Sequence, residues 1–137
     1  IRFMEKTRRQ IARETATIGI YQNLLVESSL EDIYHFLSEN ETLAKSQESM
    51  EFAKWLVEKT VQNRKSYQDL IEKHLKKGWT FTRLSVMERA ILLIATCELL
   101  ESELPKTIVI NEAVINAKKF CDDDSYKFIN GVLSQVI

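Results

Sequence analysis

Apolar residues recur along this chain with a helical period almost from end to end, and the polar residues between them fall where helices start and stop. Ala12, Ala16, Gly19, Ile20 and Leu24 share one face at i, i+4, i+7, i+8 and i+12, behind Thr7 and Gln10 at capping-box spacing. This predicts a first helix from about residue 8 to 27. Its buried stripe is small, so a neighbouring helix can approach closely. Gly19 costs the helix about 1 kcal/mol against alanine.

Ser29 with Asp32 caps a short second helix carrying Leu30, Ile33 and Leu37 on one face. The polar stretch from Ser38 to Ser49 reads as a loop. Apolar positions then support helix from Met50 to the Lys76-Lys77-Gly78 stop, as one helix or as two with a restart at Ser66 and Asp69. Ser85 and Glu88 form a full capping box, and the helix they open is apolar on nearly every side through Ala90–Ala95. Such a helix belongs at the centre of a bundle. Pro105 ends it or opens the next, where Ile110, Ala113, Val114, Ala117 and Cys121 mark the buried face. Asp122-Asp123-Asp124-Ser125 interrupts the pattern and caps a last helix with Phe128, Val132, Leu133 and Val136, inside which Gly131 reads as a place of close helix approach. The expectation is an all-α fold, a single compact bundle of about seven helices over 1–137.

Composition supports this pattern. The 137 residues include three glycines and one proline, too few for a glycine-rich phosphate loop, a dinucleotide fingerprint or a many-turned β-sandwich. No run of about 18 apolar residues or signal peptide is present. Cys97 and Cys121 lie in apolar helical patterns and read as buried free thiols, with a disulfide between them left open. A reduced, cytoplasmic protein without a membrane span is expected.

Charge adds a partition that the net value of -1 hides. Residues 1–14 carry Arg2, Lys6, Arg8, Arg9 and Arg13 against Glu5 and Glu14, net +3, while residues 15–51 sum to -6, residues 52–86 to +5 and residues 87–137 to -3. Arg8 and Arg9 would occupy the first turn of the first helix, where the dipole disfavours each cation by about 0.3 to 1 kcal/mol. Arg9, Arg13, Thr17 and Tyr21 form one stripe. Guanidinium groups bind phosphates bidentately and a tyrosine can stack a base, so the stripe suits RNA. Equally, Arg13 could pair with acids, Arg8 and Arg9 could be solvated, and Tyr21 could be packing.

Other clusters carry less chemistry. The three aspartates lack the spaced ligands of a calcium loop and read as a helix cap; His35 and His74 have no partner at metal-ligand spacing. No nucleophile–base set or acid/base pair can be assembled, so neither an enzyme nor a cofactor is indicated.

Several segments together resemble the NusB family of bacterial antitermination factors. They are Arg8-Arg9 with Ala12-Arg13-Glu14, Tyr21-Gln22, Trp79 with Arg83-Leu84, Glu88 to Leu92, Glu98-Leu99, Ile110 to Val114, Ala117 to Phe120, Asp124-Ser125 and Lys127 to Leu133. They follow family order over nearly the whole chain from residue 8. The resemblance implies a non-enzymatic helical domain that binds boxA RNA of nascent ribosomal RNA with ribosomal protein NusE. That pair joins other Nus factors on RNA polymerase to suppress premature termination. It further implies Arg8, Arg9, Arg13, Tyr21, Lys127 and Phe128 as RNA-binding residues, with Glu88 and Asp124 as partner-binding residues. It also allows a homodimer. Two alternatives stand beside it: an RNA-binding module of a ribosomal-RNA cytosine methyltransferase, and a helical protein-interaction dimer without RNA specificity.

Overall fold

The computed structural model describes residues 6–137; Arg2 and Glu5 of the basic head lie outside the described residues. Among the described residues there are eight α-helices and no strand: α1 (Arg8–Val26), α2 (Leu30–Ser38), α3 (Glu41–Ala44), α4 (Gln47–Gln62), α5 (Arg64–Glu72), α6 (Val86–Glu101), α7 (Lys106–Phe120) and α8 (Ser125–Val136). A short 3-10 turn, Phe81–Arg83, precedes α6.

The expected capping boxes form. Thr7 accepts from the Gln10 backbone N–H, Ser29 from that of Asp32 and Ser85 from that of Glu88, and each third residue bonds back to its cap. Each reciprocal pair satisfies two backbone donors that a helix start would otherwise leave open.

The supposed loop from Ser38 to Ser49 is instead the site of two helix starts. Asn40 caps α3 through the Leu43 N–H at 3.1 Å, and Ser46 caps α4 through the Ser49 N–H at 3.3 Å. The stretch is polar because capping needs short polar side chains, and its one large apolar residue, Leu43, is in the core. The long segment after Met50 breaks at Asn63, not at Ser66. Asn63 leaves helical geometry at φ -111°, ψ 16°, and its side-chain amide donates to the Lys59 carbonyl at 3.0 Å. Helix α5 then ends at Glu72, ahead of the lysine pair, and Gly78 turns with φ +89°.

Helix α6 is the axis of the fold. Every residue from Ala90 to Leu99 is buried, and the helix packs against α1, α4, α5, α7 and α8. Fully burying Leu92 or Leu93 stabilises the fold by about 1.5–3 kcal/mol each. Pro105 opens α7 from its N-cap position. Two glycine expectations divide. A Cβ on Gly19 would sit 3.0 Å from Ile33 Cγ2, so α2 does approach α1 closely there; a Cβ on Gly131 would meet nothing within 4 Å, so Gly131 packs against no neighbour.

The aspartate run departs from expectation in detail. Asp124 holds the N-cap position of α8 but has helical backbone angles and makes no side-chain cap bond. Its carboxylate pairs with Lys127 at 3.7 Å instead, while the Asp122 carbonyl accepts from the Ser125 N–H at 3.0 Å. Both cysteines are free thiols, Cys97 buried and Cys121 half-buried.

Candidate nucleic-acid interface

The N-terminal capping box sets the first turn of α1, and that turn contains no acid. Arg8 and Arg9 are exposed there. The Arg9 guanidinium carbon lies over the Phe52 ring of α4, 4.0 Å from its centroid, with Glu48 at 3.4 Å. The contact seats the guanidinium on a half-buried ring while leaving it at the surface.

Arg13 is different. It is 6% exposed, and its Nε and Nη2 donate to the two carboxylate oxygens of Glu98 at 2.5 and 3.1 Å; Glu98 itself is 1% exposed on α6. Glu112 of α7 stands 3.9 Å away and also accepts from Gln10 at 3.2 Å. The bidentate pair spans α1 and α6, and Glu112 ties α7 to the same point. Thr17, next on the supposed stripe, is also buried. The stripe through Arg9, Arg13, Thr17 and Tyr21 therefore runs inward after its first residue and is not a surface track. Its cause is the largely apolar α6, which places the buried carboxylate of Glu98 against Arg13. Tyr21 is half-buried against the core and stands about 18 Å along α1 from Arg9.

The start of α1 is joined to the far end of α7 by a shared carboxylate. Glu14 accepts from Lys119 at 2.6 Å and from Lys6. Burial acts to raise the Glu14 carboxyl pKa, but the hydrogen bonds and charges of Lys119 and Lys6 outweigh it and hold it below its ordinary value. The same bond to Glu14 raises the Lys119 ammonium. Beyond it, Lys118 lies 4.6 Å and Lys127 5.9 Å from the Tyr126 ring centroid, and Phe128 follows. Lys118, Lys119 and Tyr126 thus form a basic and aromatic bridge between Glu14 of α1 and the Lys127-Phe128 turn. Sequence reasoning missed them as surface residues because cations in the last turn of a helix already have a dipole explanation.

Glu88, Asp124 and Phe128 come together around one open hollow of about 770 Å³, with Cys121 on its wall. Glu88 keeps its capping bond to the Ser85 N–H at 3.0 Å. Glu88 and Phe128 also line a second hollow of about 300 Å³, shared with Lys76, Trp79 and Leu84. Trp79 is 48% exposed, with Arg83 5.0 Å from its ring centroid. This end of the molecule therefore combines aromatic faces, cations and two acids. Among the described residues no group of three or more histidine, cysteine, aspartate or glutamate side chains is placed to hold a metal.

Known proteins resemble this chain across its length. The NusB family model matches residues 10–137. A transcription antitermination protein NusB from Macrococcus caseolyticus is 46% identical over 86 residues, 63% of this chain and 65% of its own. One from Staphylococcus haemolyticus is 40% identical over 132 residues, covering 92% of this chain and 99% of its own. A crystal structure of antitermination factors NusB and NusE in complex with dsRNA superposes with a TM-score of 0.84 at 33% identity, over 94% of this chain and 95% of the other.

Proposed function

The chain belongs to the NusB family of non-enzymatic antitermination factors, and from that premise we propose that it binds boxA RNA of nascent ribosomal RNA transcripts together with ribosomal protein NusE. In doing so it helps RNA polymerase resist premature termination, with other Nus factors acting through the same assembly. The observation that carries the reading is the first turn of α1, which displays Arg8 and Arg9 against the helix dipole with no acid in that turn. A turn selected for stability alone would carry the opposite charge.

In this reading Arg8 and Arg9 contact phosphates, and Lys127 extends the cationic surface. Tyr21 and Phe128 offer ring faces to unstacked bases, which single-stranded RNA supplies. Arg13 serves by fixing α1 on α6 rather than by touching RNA, since it is buried, with Nε and Nη2 bonded to Glu98 and Nη1 facing Glu112. Glu88 and Asp124, which share a hollow beside Phe128, receive the protein partner. A cytoplasmic location fits a transcription factor, and no described helix is long and apolar enough to cross a membrane.

The test is co-purification with NusE and an RNA gel shift, using boxA and a scrambled control, on the wild type and on Arg8→Ala/Arg9→Ala. Selective binding of boxA is expected, with the double variant losing about 1.4 units of salt slope, 0.7 for each single-strand phosphate contact. Equal binding of boxA and the scrambled RNA in the presence of NusE overturns the reading.

A further inference from the structure

Gly131 sits in the interior of α8, where glycine costs about 1 kcal/mol against alanine, yet no neighbouring atom requires the Cβ to be missing. The cost has no packing cause. What the bare backbone does adjoin is a hollow of about 370 Å³ between the end of α5 and α8, walled by His74 and Lys76 on one side and by Lys127, Phe128 and Gln135 on the other. That volume is within the roughly 300–1,000 Å³ of small-ligand sites.

We infer that this hollow is a binding site for one nucleotide of single-stranded RNA, with Gly131 as its open floor. The inference rests on the RNA reading above and adds a site to it, in a hollow that Phe128 lines without Glu88 or Asp124. Charge selects the occupant. Two lysines and a histidine line the hollow and no carboxylate does, so a phosphate is favoured over an acid-poor apolar segment of a protein. Phe128 supplies the aromatic face that a base requires, and Gln135 an amide able both to donate to and accept from a base edge. The missing side chain at Gly131 lets a ribose or base come down to the helix backbone, which any larger residue would prevent. The sequence block 52–86 carries a net +5, and Lys76 is the member of that block that faces this hollow.

The experiment compares wild type, Gly131→Ala, Gly131→Gln and Lys76→Gln by fluorescence anisotropy with a labelled boxA oligonucleotide, with and without NusE, alongside thermal melts. Gly131→Ala raises thermal stability, because the helix gains and nothing clashes, and weakens RNA binding, because its methyl stands where the ribose or base comes down. Gly131→Gln fills the hollow and weakens RNA binding about fivefold or more with the fold intact. Lys76→Gln lowers the salt slope by about 0.7. Opposite signs for stability and binding separate a ligand site from a structural one. If the wild type binds boxA and Gly131→Gln binds it equally well, the site is refuted while the RNA reading stands. If Gly131→Gln loses NusE but keeps RNA, the occupant is the protein partner and the site as stated is refuted. If the wild type binds no boxA RNA in either condition, the RNA reading fails and the site with it.

Discussion

Replacing Arg13 with methionine removes the guanidinium but leaves Glu98, 1% exposed, with its carboxylate in the centre of the bundle. Both of the Glu98 oxygens lose their Arg13 donors, at 2.5 and 3.1 Å, and Glu112 at 3.9 Å loses its cation as well. Breaking a buried pair in this way costs about 3–5 kcal/mol, a large part of the roughly 5–15 kcal/mol that holds a domain together. With a urea m-value of about 2 kcal/mol/M, the unfolding midpoint falls by about 2 M. The double variant Arg13→Met/Glu98→Leu replaces the pair by apolar groups of similar size. It should recover most of that loss, because the buried charge is gone too. Far-UV circular dichroism in urea reads both effects. RNA binding by the double variant then gives the role of Arg13: a positioning residue leaves the salt slope at its wild-type value, whereas a phosphate contact would take away about 0.7. A cost below about 1 kcal/mol for Arg13→Met, or a double variant no more stable than the single, would refute the claim that this pair anchors α1.

Three further outcomes are expected. Gly19→Ala should destabilise despite the gain in helix propensity, since its methyl meets Ile33 Cγ2 at 3.0 Å in a core that overpacking disturbs by about 1–3 kcal/mol; an increase in melting temperature would contradict that packing. The Glu14 carboxyl is held below its ordinary value of 4.5, so its contribution to stability is complete above that pH and disappears as the pH falls through the lower folded-state value. The stability gap between wild type and Glu14→Gln in acid denaturation should therefore close on the acid side, and a gap independent of pH would exclude the Lys6–Glu14–Lys119 contact. Burial first, then the Glu88 and Asp122 charges, push the Cys121 thiol from 9.0 up to about 11, so its thiolate at neutral pH is about a hundredfold scarcer than that of an ordinary thiol. Alkylation of Cys121 should be correspondingly slow, and a rate equal to that of a free thiol would contradict the burial.

Capping boxes and the continuous apolar run of α6 were readable because each is a local signal, complete within a few residues. The two helix starts after Ser38 were not, since Asn40 and Ser46 look like any polar loop until Leu43 is known to reach the core. Arg13 failed as a surface residue for a related reason. Periodicity places it beside Arg9, but whether that side faces water depends on Glu98, 85 positions away in sequence. The bridge of Lys118, Lys119 and Tyr126 is equally nonlocal, assembled only when α8 packs on α7 and Lys119 of α7 reaches Glu14 of α1. Gly131 shows the opposite failure, where a local rule supplied a packing reason that the three-dimensional surroundings do not contain.

Arg9 rests on the Phe52 ring and touches Glu48 through one nitrogen at 3.4 Å, and that carboxylate is 83% exposed. An exposed pair of this kind is worth about 0–1 kcal/mol and exchanges readily, while the ring beneath the guanidinium stays in place. What the stack supplies is position. A long side chain that would otherwise lose its rotamer freedom on meeting a ligand has already lost part of it on folding.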